Sequence, residues 1–196
     1  IPKQAASIGI IHEGAHRLRT LVDSFELLVA AQNNKLDELS PQDAHSQLNT
    51  VFESVVKSLE PVIMQKQIKL VKPDFIKANV PGNTLLLNQV IGSVITNAID
   101  FSPNGSTVKF DLKTQNNSVN LSVTNQGETI SEEQIAHVFN PFVKADGFDA
   151  LRLDHGGLGV DLYIDKLIMQ HLGGKMKITS KEGLGTTMTM SWPALS

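Results

Sequence analysis

The chain has 196 residues, a formal net charge of −3, 41% hydrophobic residues and no cysteine. That length can bury a sizeable core, as one large domain or one domain with an appendage, and a charge this low with no basic run excludes a polyanion-binding surface, so no nucleic-acid partner is expected. The lack of cysteine excludes disulfides, thiolate metal sites and a cysteine nucleophile, and no apolar stretch is long enough to span a bilayer; this part of the protein is expected to be cytoplasmic, without membrane contact.

Ile8, Ile11, Ala15, Leu18, Leu21, Val22, Phe25 and Leu28 recur at three- and four-residue steps, which predicts one long amphipathic helix over 3–32. A helix of that length needs a partner to cover its apolar stripe. Residues 33–41 are polar and end in Ser40-Pro41, a linker leading to a helix start. Leu48, Val51, Phe52, Val55, Val56, Leu59 and Val62 mark the second helix. The period then changes to two. Strands are predicted over 68–71, 78–80, 107–112 and 119–123, each bounded by proline, glycine or asparagine. A helix over 84–101 separates the second and third of them. A short helix over 131–139 opens on Ser131-Glu132-Glu133, a capping serine and an acidic first turn. Residues 143–155 have no period and read as a loop. The last helix, over 158–172, ends at Gly173-Gly174, and a closing hairpin spans 175–179 and 186–192. The expected class is α+β, a two-layer α/β sandwich preceded by a long helix, with a boundary between 1–36 and 37–196.

On the helix over 84–101, Val90, Ile91, Val94, Ala98 and Phe101 form the apolar face at 100° per residue, while Ser93, Asn97 and Asp100 share one flank. An asparagine there can offer its carbonyl oxygen to a hard cation that also holds phosphate oxygens, or can simply face solvent. The strand over 119–123 leads into Asn125-Gln126-Gly127-Glu128-Thr129, where glycine permits close approach of the backbone to a flat ligand. His155-Gly156-Gly157-Leu158-Gly159 directly precedes a helix whose first amides could receive a phosphate. Each segment alone is weak; their order is specific.

Leu87-Asn88-Gln89-Val90 leads to Asn97-Ala98-Ile99-Asp100-Phe101-Ser102-Pro103. The 125–130 turn, Val138-Phe139-Asn140-Pro141-Phe142, Gly157-Leu158-Gly159-Val160, Gly173-Gly174 and Gly183-Leu184-Gly185-Thr186-Thr187 follow in turn. This set closely resembles the catalytic ATP-binding domain of sensor histidine kinases, the Bergerat-type ATP-binding fold, over about residues 44–193. Residues 3–32 resemble the second helix of that family's dimerisation and phosphotransfer hairpin. The resemblance implies a magnesium ligand at Asn97, an adenine-reading position at Asn125 within the Gly127 and Thr129 turn, and a lid anchored by Phe139 and Phe142. It also implies phosphate contacts from Lys144 and Arg152, a phosphate loop shaped by Gly157, Leu158 and Gly159, and support of the adenine site by Thr187. The implied activity is ATP- and magnesium-dependent transfer of the γ-phosphoryl group to a histidine, for relay to a response regulator receiver domain, by a homodimer paired through the N-terminal helix.

The first hairpin helix, with the phosphorylated histidine, is expected upstream of Ile1, so the chain reads as a fragment, such as the cytosolic part of a membrane receptor. His16-Arg17-Leu18-Arg19-Thr20-Leu21 partly mimics the phosphoacceptor motif, and His12-Glu13 sets a histidine beside an acid. Both histidines are candidates; a second bundle helix should then follow, and the only intervening helix belongs to the ATP domain by its spacing.

The pattern departs from the family within one pocket. Asn125 stands where an aspartate is usual and forgoes charge assistance of about 1–2 kcal/mol. Thr129 and His155 replace glycines, Asp100 places a negative charge near the expected phosphates, and Ser93 replaces an asparagine one turn before Asn97. Relatives that hydrolyse ATP carry a glutamate base at the position of Ser93, so hydrolysis is disfavoured. The expected function is the catalytic fragment of a histidine kinase; the alternative is a degenerate pseudokinase or docking module that dimerises and regulates a partner with weak or no ATP use.

Overall fold

The computed structural model describes residues 19, 22–33, 35–39, 44–74, 78–143 and 159–195. Residues 22–32 form helix α1, followed by a single turn, α2 (Leu36–Leu39). The earlier part of the long predicted helix, with His12 and His16, and the Ser40-Pro41 start lie outside the described residues. Within α1 the apolar positions serve two directions. Leu28 is buried in the main core together with Leu36, whereas Val22, Phe25 and Val29 stay exposed on another side.

Strand β1 (His45–Gln47) precedes α3 (Leu48–Gln65), then come β2 (Lys69–Val71) and β3 (Asn79–Pro81). Helix α4 (Thr84–Asp100) leads to β4 (Thr107–Gln115), β5 (Ser118–Asn125), α5 (Glu132–His137), α6 (Asp161–His171), β6 (Lys175–Lys181) and β7 (Gly185–Pro193). The main sheet has the order β2-β4-β5-β7-β6; β2 runs parallel to β4 and the other neighbours are antiparallel. A mixed sheet with helices on one face was expected. The separate two-stranded pairing of β1 with β3 was not: three residues ahead of an apolar helix carry too little period to read.

The sheet's strict alternation builds the two layers. Val108, Phe110, Leu112, Val119, Leu121, Val123, Ile178, Met188, Met190 and Trp192 are buried on one face against α3, α4 and α6. Phe52 of α3 meets Phe110 edge-to-face, ring centroids 4.9 Å apart at 82°. The opposite face carries directly opposed polar pairs, Ser122 with Thr189 at 2.9 Å and Ser191 donating to Asn120 at 2.6 Å, which suits a solvated surface. Gly173 follows α6 at φ 69°, and Gly174 N–H donates to the Met169 carbonyl at 2.7 Å, the C-terminal closure that the glycine pair predicted. Among the described residues no helix is long and apolar enough to cross a membrane.

Candidate functional site

Helix α4 starts at Asn83, whose Oδ1 accepts from the Leu86 N–H at 3.0 Å, an N-cap. Its buried face consists of Leu86, Leu87, Val90, Ile91, Val94, Ile95, Ala98 and Ile99. Ser93 and Asn97 are half-buried and Asp100 is exposed, so the predicted polar edge exists and opens toward solvent near its C-terminal end. There the Lys66 ammonium donates to the Ile99 and Asp100 carbonyls, each at 2.8 Å, and offsets the partial negative charge of the helix end. Phe101 departs from expectation. The helix stops at Asp100, the angular count stops with it, and the ring is 54% exposed rather than in the core.

Asn125 ends β5 on its inward side and is buried. Its Nδ2 donates to the Phe101 carbonyl at 3.4 Å. Gly127 sits against the same carbonyl: an added Cβ would collide with Phe101 O and lie 2.7 Å from Asn125 Nδ2. Gly185, at φ +83°, likewise leaves no room beside the Asn125 carbonyl. The glycine at 127 was expected to admit a ligand; the close approach it serves here is to the protein's own backbone.

Thr186 pairs with Asn125 in the sheet register and is buried beside it. Its hydroxyl lies 2.8 Å from the Ser180 hydroxyl, whose oxygen accepts from the Ile130 N–H at 3.0 Å, so the 125–130 turn is pinned at both ends. Thr187 points the other way. One residue along the strand it falls on the outer face, where its Oγ1 is 2.8 Å from that of Thr124, so Thr186 and not Thr187 stands next to Asn125. Thr129 is exposed, and Gln126 Oε1 accepts from the Thr107 N–H at 3.4 Å.

Helix α5 has the predicted Ser131 cap, completed to a capping box by Gln134. Beyond it Phe139 is half-buried against the core, with the Lys166 ammonium 5.9 Å from its ring centroid. Phe142 is exposed and holds φ +64°, an uncommon conformation for a residue with a side chain. Its N–H donates to the Gly159 carbonyl at 2.8 Å, and a Cβ on Gly159 would come within 2.8 Å of the Val143 carbonyl. Residues 142–143 and 159, which flank the expected lid of residues 143–155, therefore meet beside the start of α6. Lys144, Arg152, His155, Gly157 and Leu158 lie between them, outside the described residues.

Two acids on α6 went unnoticed in the sequence reading. Asp161, in the first turn, is half-buried; desolvation pushes its carboxyl above the usual value of 3.8, opposed by a hydrogen bond from Ser24 Oγ of α1 to Oδ1 at 3.4 Å. Asp165, one turn on, is fully buried and its carboxyl is pushed well above 3.8, chiefly by desolvation and further by Asp161. Ser93 and Gln89 of α4 face it and pull the other way, yet no hydrogen bond closes: both carboxyl oxygens and the Ser93 hydroxyl lack a partner. The signal was available. Positions 161 and 165 share a helix face with Ile164, Ile168 and Met169, where a charge is out of place.

Among the described residues no three His, Cys, Asp or Glu side chains gather as a metal cluster. The helices packed on the mixed sheet thus carry a half-buried Asn97 on α4 and the Phe142–Gly159 contact ahead of α6. The family described as "Histidine kinase-, DNA gyrase B-, and HSP90-like ATPase" matches residues 82–196, and the chain belongs to it. It is 29% identical over 183 residues to the heme sensor protein HssS of Staphylococcus haemolyticus, covering 93% of this chain and 38% of that protein. It is 30% identical to the sensor histidine kinase WalK of Bacillus subtilis over 82% of this chain and 28% of that protein, so the chain spans well under half of these relatives. Full-length ShkA, solved in complex with AMPPNP, shares the fold at a TM-score of 0.77 with 17% identity, over 99% of this chain and 39% of that one. Histidine kinase ThkA, solved with its response regulator TrrA, does so at 0.68 with 21% identity, over 96% of this chain and 51% of that one.

Proposed function

We propose that the chain is the ATP-binding catalytic part of a two-component sensor histidine kinase, residues 37–196 binding the nucleotide and residues 1–36 belonging to the dimerisation region. The observation that carries this reading is that the C-terminal end of α4, with the half-buried Asn97 one turn before it, meets the Asn125–Gly127 turn through the Phe101 carbonyl. Asn97 supplies one neutral oxygen, which suits magnesium, since that ion keeps several waters and takes its remaining ligands from phosphates. When bound, the ion neutralises phosphate charge as the γ-phosphoryl group leaves ADP for a ring nitrogen of a histidine outside this chain. The residues here bind and orient: Asn125 and Thr186 at the base, Asn97 at the phosphates, and Lys144, Arg152 and the 157–159 glycine loop around the lid. Transfer onward to a receiver domain accords with the ThkA complex with TrrA, and AMPPNP binding by ShkA accords with ATP as ligand. Exposed Val22, Phe25 and Val29, at three- and four-residue steps on α1, supply an apolar stripe for a second copy.

A second reading has a specific observation behind it. The buried Asn125 amide is committed to Phe101, and Asp161 already sets an acid at the first turn of α6, so the same fold could serve as a docking module with little ATP use. Calorimetric titration with ATP, with and without magnesium, separates the two. Magnesium-dependent heat supports the kinase; no heat at millimolar nucleotide ends that reading.

A further inference from the structure

Helix α6 lies between two elements that the function treats separately. On its first turn Asp161 accepts from Ser24 of α1, and Ser24, a small polar residue, is itself buried on the same helix as the core residue Leu28. One turn later Asp165 faces Ser93 on the polar flank of α4, a single turn before Asn97. The stretch from Ser24 to Ser93 thus consists of four polar side chains set in apolar packing, bounded by Leu28, Val90, Val94, Ile164 and Ile168.

We infer that Ser24, Asp161, Asp165 and Ser93 form a latch that fastens α1 to α6 and α6 to the Asn97-bearing edge of α4. It is closed while Asp165 carries its proton. A neutral carboxyl can donate its O–H across the seam toward Ser93 or Gln89, the two polar side chains of α4 that act on it. After the proton leaves to solvent the carboxylate has only the neutral Ser93 and Gln89 to donate to it and no cation, and it faces Asp161 on the same helix. An unpaired buried carboxylate must then be hydrated, and hydration requires α6 to part from α4 and from Ser24.

The groups around Asp165 leave it no other counter-charge among the described residues. From α6 itself there is Asp161, while Lys166 stands over Phe139. From α4 come only the neutral Ser93 and Gln89. From α1 comes Ser24; Asp23 and Glu26 are exposed, and Asp23 pairs with Arg19 at 3.8 Å. From β6, Lys175, Lys177 and Lys181 are exposed and alternate with the inward Met176 and Ile178. Loss of one proton therefore changes the seam from neutral contact to unbalanced repulsion.

The latch needs no nucleotide, and neither does its test, so it stands or falls apart from the proposed kinase activity. The chain has no cysteine, so E26C on α1 and K109C on β4, both exposed, accept spin labels without competition. Distances between the labels are measured on the full chain from acid to mildly alkaline pH, while carbon-13 NMR of labelled aspartate follows the Asp165 carboxyl. The expected result is one narrow distance at the acid end that broadens with the same midpoint as Asp165, well above the ordinary carboxylate value. D165N, isosteric with the neutral acid, should keep the narrow distance at every pH; S24A should show the broad one throughout; S93A should move the midpoint to higher pH. A distance that ignores pH, a D165N variant that broadens like the parent, or an Asp165 midpoint in the ordinary carboxylate range overturns the latch. Narrowing on addition of magnesium chloride alone at high pH also overturns it, because the two acids would then be a cation site.

Discussion

Asn125 Nδ2 donates to the Phe101 carbonyl at 3.4 Å, joining the end of β5 to the cap of the helix that carries Asn97. An amide can do this and a carboxylate cannot. The amide at 125 thus fastens the end of β5 to the cap of α4.

N125D consequently faces opposed effects. A carboxylate would lie against a carbonyl oxygen with no proton to share, and the Phe101 carbonyl would lose its side-chain donor, so stability should fall by about 1–3 kcal/mol. Urea denaturation at neutral pH checks this. Unchanged stability would mean that the amide–carbonyl contact contributes nothing.

Gly127 and Gly185 surround the same residue, and an added methyl at either meets backbone, which cannot move aside. G127A and G185A should each destabilise by about 2 kcal/mol or more. G105A is the control: its φ is +76° but nothing lies within 4 Å, so only conformational strain of about 1 kcal/mol is expected. Thermal unfolding of the three variants ranks them, and equal losses would refute the packing argument.

Asp165 makes stability depend on pH with a definite sign. Its folded-state carboxyl holds its proton well above 3.8, so the folded chain binds more protons than the unfolded one. Its contribution is complete below 3.8 and is lost as pH rises through the folded value. D165N removes that loss and should exceed the parent by about 1–3 kcal/mol at neutral pH while differing little in acid. Asp161, raised in the same direction, should leave a smaller residual slope. Urea midpoints at acid and neutral pH give the comparison.

Asn97 is half-buried at an edge and only its backbone, whose carbonyl accepts from the Phe101 N–H, takes part in the helix bonding, so N97A should change stability by less than about 0.5–1 kcal/mol. If it holds magnesium, the variant should lose at least about tenfold in ATP affinity with magnesium present and little without it, tenfold being 1.4 kcal/mol. Calorimetry under both conditions decides between ligand and bystander.

The elements with a long, strong period were legible from sequence: the α3 face from Leu48 to Val56, the α4 stripe, and the alternating strands. Caps were equally plain at Ser131 and Gly173, because their chemistry acts on neighbouring atoms. The short β1 strand, the outward turn of Phe101 and the shift from Thr187 to Thr186 were not, since each depends on where a helix or strand stops within one residue. The roles of Asp161 and Asp165 were hidden for a different reason: a charge on an apolar face can be read, but what faces it cannot.

By itself, then, the sequence determined periodicity, caps and the order of motifs, and with them the two-layer fold and the kinase family. These are local properties, set by atoms a few bonds or one helical turn apart. The tertiary structure alone decided that Asn125 reaches Phe101, that Phe142 meets Gly159, and that Ser24, Asp161, Asp165 and Ser93 line one seam. Those contacts join residues 17 to 137 positions apart, and they exist only because burial of the shared core brings α1, α4, α6 and the sheet together.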